Sequence, residues 1–67
     1  SRNQNKATEH RLSLLERAAR QKWLDNPERY NAWATGPAGI DTLADCNFRS
    51  PAEALAWIRA NTHLMEL

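Results

Sequence analysis

One long amphipathic segment, Ala7 to Leu24, restricts this chain more than any other feature of its sequence. Residues set at about 100° steps put Leu12, Leu15, Ala18, Ala19 and Trp23 on one broad side. Lys6, His10, Arg17 and Arg20 gather within about 80° of one another on the opposite side. Ser13 and Gln21 lie between the two, and Glu9 and Glu16 flank the basic ridge. An apolar side facing a basic ridge is the pattern of a helix that docks by one face. Arg11 and Lys22 fall inside the apolar arc, where their stems pack while their charges reach water or a carboxylate of the second half.

The boundaries follow from turn chemistry. The helix is expected to start between Asn5 and Thr8, either of which caps, and to stop at Asp25-Asn26-Pro27. Asn26 as N-cap and Pro27 at the first helical position predict a short second helix, Pro27 to Ala34. Thr35-Gly36-Pro37 ends it, with glycine as the left-handed closing residue. Gly36 to Gly39 reads as a tight loop, and Asp41 as the cap of a third short helix through Cys46 that buries Ile40 and Leu43. Asn47-Phe48-Arg49 reads as a turn. Ser50-Pro51-Ala52-Glu53 is a capping box in which Glu53 reaches back to the Ser50 amide, opening a last helix to about His63. No segment alternates as a strand does.

The expected fold is therefore all-α, a small bundle of three to four helices with the long first helix packed on the capped C-terminal helix. Residues 1–5 are expected to be frayed or disordered and 6–67 to form a single helical domain. The expected core is Leu12, Leu15, Ala19, Trp23, Tyr30, Trp33, Leu43, Phe48, Trp57 and Ile58. Three tryptophans with Tyr30 and Phe48 are a heavy aromatic load for 67 residues. Filling a small core explains it, since each large ring buries roughly 150–250 Å².

The same residues exclude several chemistries. A single cysteine, Cys46, forms no internal disulfide, and with His10 and His63 it makes no zinc-site spacing. Gly36 to Gly39 lacks the Lys-Ser or Lys-Thr of a phosphate-binding loop. Most of the carboxylates sit where caps, first turns and helical pairs account for them, and Cys46, a nucleophile only with a base beside it, lies near a helix C-terminus where the dipole opposes a thiolate. No catalytic residue, cofactor or metal is expected. No apolar run approaches the ~18 residues of a membrane span, and a reducing, cytoplasmic setting fits.

Charge is uneven. Residues 1–29 hold seven Lys or Arg against four Asp or Glu, and residues 30–67 hold two against four. The first half suits an anionic partner and the second does not. The segment Ile40 to Arg59 (short helix, turn, longer helix) is similar to the second half of AraC-type DNA-binding domains. Leu43-Ala44, then Phe48, then a serine-capped helix carry that resemblance, which covers about 20 residues. It implies a helix-turn-helix. Asn47 stands where the family has glycine, the turn is one residue shorter, and Arg59 is the one cation offered for reading bases.

The functional expectation is a non-catalytic helical interaction or regulatory module. It binds a macromolecular partner through Lys6, His10, Arg17 and Arg20. The alternative is a nucleic-acid-binding accessory domain, helix-turn-helix-like or basic-helix, and self-association through apolar ends such as Leu64 and Leu67 is a further expectation.

Overall fold

Four α-helices and a 3₁₀ turn follow one another: α1 Arg2–Gln21, α2 Pro27–Ala34, α3 Pro37–Asp45, α4 Pro51–Ala60, then Thr62–Leu64. The computed structural model describes the backbone of residues 2–65 and the side chains of residues 7–65. It is 76% helix, with no strand among the described residues. The expectation for residues 1–5 concerns Ser1, which lies outside the described residues, and side chains that do too. The backbone of α1 is already helical at Arg2, ahead of the Asn5–Thr8 window. Arg, Gln, Lys and Ala are strong helix formers and carry it backward.

At its other end α1 closes at Gln21 rather than Leu24. Lys22 turns into the left-handed region with φ 56°. The Trp23 N–H then reaches the Ala18 carbonyl at 3.1 Å and the Lys22 N–H the Ala19 carbonyl at 3.3 Å. That pair of bonds is a Schellman motif, and it drops Trp23 into the core, 1% exposed. α3 ends identically. Asn47 has φ 61°, Phe48 N–H bonds the Leu43 carbonyl at 3.0 Å, and Asn47 N–H bonds the Ala44 carbonyl at 3.0 Å. In both turns the residue after the left-handed one is a buried ring.

α2 spans the expected residues, but Asn26 caps by position alone and makes no side-chain cap bond. The reading of 36–39 as a loop is corrected. Gly36 is extended, φ −84° and ψ 169°, and serves as the N-cap of α3, with Pro37 in the first turn. Asp41 therefore lies inside α3, and Ile40 faces outward at 56% exposure instead of being buried. Gly39 explains why α3 fits there. A Cβ on it would lie 1.9 Å from the Trp33 carbonyl oxygen, so the end of α2 crosses α3 with only backbone between them.

Ser50 caps α4 as expected, its Oγ accepting the Glu53 N–H at 3.1 Å. Glu53 reaches one residue further back than a standard box, accepting the Arg49 N–H at 2.5 Å. α4 stops at Ala60, short of His63, and the chain tightens into the 3₁₀ turn.

The core comprises Leu14, Leu15, Ala18, Trp23, Tyr30, Ala34, Leu43, Cys46, Phe48, Ala54 and Ile58. Leu12 is not in it and stands 47% exposed; Leu14 takes its place, and Ala18 is buried more fully than Ala19. The buried arc of α1 is thus rotated by about 70° from the expected one. Arg11 falls at its centre. Its Nε donates to the Cys46 carbonyl at 2.9 Å, and its guanidinium lies 4.1 Å above the Phe48 ring and 5.3 Å from that of Trp57. One side chain so covers the exposed end of α3 and joins α1 to α4. Trp23 packs edge-on to Tyr30 at 5.0 Å and against Trp33 at 4.7 Å, and the Tyr30 hydroxyl donates to the Pro51 carbonyl. The first and last helices meet through these side chains, while the backbone of α1 comes nearest the 3₁₀ turn.

Candidate functional site

The outer side of α1 carries three of the four ridge residues in view; the Lys6 side chain lies outside the described residues. His10, Arg17 and Arg20 are all exposed. Arg20 pairs with Glu16 at 2.5 Å across one helical turn, in the favourable acid-before-base order. Both partners are well exposed, so the pair contributes about 0.3–0.5 kcal/mol. Arg17 differs. Its guanidinium lies 5.4 Å from the centre of the Trp33 ring, and it has no carboxylate partner among the described residues. Contact with the ring restrains the side chain, which stays exposed, and an exposed guanidinium can hold carboxylates or phosphates.

Two depressions flank the Glu16–Arg20 pair. One is polar and shallow, about 330 Å³, between Ser13, Arg17 and Gln21. The other, of about 510 Å³, runs between α1 and the 3₁₀ turn and is lined by Leu12, Leu15, Ala19, Leu64 and Met65. Leu12 and Leu64, each 47% exposed, form its walls. Glu16 and Arg20 line both, so a basic surface and an apolar groove share one edge. Arg29 joins the far end, its Nη1 reaching the Gln21 carbonyl at 3.5 Å, the outer limit of a hydrogen bond.

Sequence periodicity finds the cations but not the groove. Leu12 is assigned to the core by its apolar character, and Leu64 follows the helix in a turn whose path no periodicity describes. Trp33 beneath Arg17 and Arg29 beside Gln21 come from α2, and only tertiary packing brings them to α1.

The other candidate chemistries are placed elsewhere. Cys46 is fully buried, and burial pushes its thiol pKa up, with Arg11 opposing and Asp45 adding to the rise. Among the described residues no three His, Cys, Asp or Glu side chains gather as a metal site, and no helix is long and apolar enough to cross a membrane. In the helix-turn-helix-like segment, Asn47 takes the conformation a glycine would. The outward residues of α4 are Ala52, Glu53, Ala56, Arg59 and Ala60, with one cation against one carboxylate. Such a face offers little to phosphates or base edges. Comparison of this chain with protein-family models, curated proteins and solved structures finds no match.

Proposed function

We propose that this chain is a non-catalytic helical interaction module, binding another protein through the outer face of α1. The observation that carries the reading is the groove walled by the exposed Leu12 and Leu64, which shares its Glu16–Arg20 edge with a polar depression lined by Arg17, an arginine with no carboxylate partner among the described residues. Apolar side chains provide affinity on leaving water, and an uncompensated arginine provides orientation and selectivity. Glu16 in the same face opposes a polyanion and favours a protein surface of mixed charge.

Nucleic acid is the second reading, supported by the basic ridge alone. Across the four ridge residues, phosphate binding would show a log–log salt slope no steeper than about −4. The experiment compares proteins captured from a cell extract by the native chain and by a Leu12→Glu, Leu64→Glu variant of unchanged helical spectrum. A discrete set held by the native chain and lost by the variant supports the proposal. Identical sets refute it. A tryptophan-fluorescence titration with random-sequence duplex DNA, saturating at low salt and abolished by Arg17→Glu with Arg20→Glu, replaces it with the second reading.

A further inference from the structure

We infer that Arg17 and Arg29 together seat two carboxylates of the partner protein, carried one turn apart on a helix. This rests on the outer face of α1 being the partner site and names the chemistry that meets it. Arg17 belongs to α1 and Arg29 to α2, and neither has a carboxylate within ion-pair distance among the described residues. Both are exposed. Their contacts are reciprocal. Arg17 lies 5.4 Å from the Trp33 ring of α2, and Arg29 reaches the Gln21 carbonyl of α1 at 3.5 Å. Gln21 follows Arg17 by four residues, as Trp33 follows Arg29, so the two helices run in opposite senses here. Arg29 thus meets α1 one turn, about 6 Å, beyond Arg17.

The fold accounts for where these cations lie but supplies no anion to either. The carbonyl end of α1 favours a cation at Arg29 through its dipole, and the ring favours one at Arg17. A guanidinium has five N–H donors; the ring contact uses none of those of Arg17, and the Gln21 carbonyl takes one of those of Arg29. Arg20 is already matched by Glu16. The uncompensated charge of this surface therefore belongs to Arg17 and Arg29. At the Arg17 end it borders the polar depression of about 330 Å³ that Ser13 and Gln21 also line.

Glu16 lines that depression and Glu28 precedes Arg29, so a continuous run of phosphates would set negative charge against both. Two separate carboxylates avoid this. On a helix, residues four apart share a face and lie about 6 Å apart along the axis, the same step that takes α1 from Arg17 to Gln21. A partner helix lying along α1, in either sense, brings one carboxylate to Arg17 and the other to Arg29. Each is then available for a two-pronged arginine contact.

Two alanine-based helical peptides of equal charge and matched helicity test this. One carries its two glutamates four residues apart, on one face, and the other carries them two apart, on different faces. Binding is read by NMR from the arginine Nε–H signals of the isotope-labelled chain at millimolar peptide. The first peptide is expected to move the Arg17 and Arg29 signals along one binding curve, with affinity about two- to fivefold above that of the second. Arg29→Gln and, separately, Arg17→Gln should each abolish that preference while keeping the helical spectrum. Equal affinity for the two peptides overturns the proposal, as does a preference that survives both substitutions. A larger shift of the same signals by random-sequence duplex DNA at equal ionic strength also overturns it and assigns the arginines to nucleic acid. None of these results alters which proteins the native chain captures or what Leu12→Glu with Leu64→Glu releases, so the partner site stands or falls separately.

Discussion

Lys22 and Asn47 are the residues on which the chain's two sharpest changes of direction depend. Each takes a positive φ, which costs a side chain with a Cβ about 1–2 kcal/mol, less for asparagine. Burial of the ring that follows, Trp23 in one case and Phe48 in the other, offsets it. Lys22→Gly is therefore expected to raise stability by about 0.5–1 kcal/mol and the melting temperature by several degrees. Thermal unfolding measures this, and an unchanged or lowered midpoint would contradict the left-handed assignment. Gly39 works in the opposite sense. Gly39→Ala places a methyl against the backbone of Trp33 and should cost about 2 kcal/mol or more, read as a lowered urea midpoint.

Tyr30 makes a prediction in pH. Burial raises its pKa from 10.0 to about 12. The phenol is neutral in the folded chain at pH values where it would ionise in the unfolded one. Its stabilising effect is fully present below pH 10 and is lost as pH rises towards 12. Urea unfolding at pH 8 and pH 11 should show this loss, and Tyr30→Phe should reduce it while costing about 1 kcal/mol at neutral pH through the bond to Pro51. The buried Cys46 thiol, also raised, leaves a residual slope of the same sign. An identical pH response in the phenylalanine variant would count against the buried phenol as its source.

At the scale of elements, caps and prolines made most of the helix layout legible. Asn26-Pro27 and Ser50-Pro51 mark the first turns of α2 and α4 where the residue types alone place them. Gly36-Pro37 carries the same signal, but glycine followed by proline also reads as a helix ending. Its use as N-cap depends on Gly39 letting α2 cross α3, and no local pattern reports that crossing. The misplaced face of α1 has a similar origin. Trp23 lies on the expected arc only if the helix continues through it. The Schellman turn at Lys22 instead carries it inward by another route, so it pulled the arc away from Leu14 and Arg11. Lysine at a left-handed position gives no sequence warning, unlike glycine. For the same reason Leu12, read as core, became a wall of the candidate groove.

Across the whole molecule, charge is uneven among the helices as well as between the halves of the sequence, with α3 carrying Asp41 and Asp45 and no cation. Arg17 and Arg20 lie outward on α1, and Asp41 and Asp45 outward on α3, with the aromatic core and the Arg11 clamp between the elements. The ridge cations were legible because helical periodicity is local. The groove was not, because it exists only where the 3₁₀ turn comes beside α1. This one face, and not the alanine-rich outer side of α4, is the surface proposed to meet the partner. Site-specific photo-crosslinking tests it most directly, with the reactive group placed at Ser13 in one sample and Ala56 in another. Both positions are exposed. Discrete protein adducts from position 13, absent from position 56 and suppressed by Leu12→Glu with Leu64→Glu, are the predicted result. Adducts from position 56 alone, or equal adducts from both that survive the groove substitutions, would contradict it.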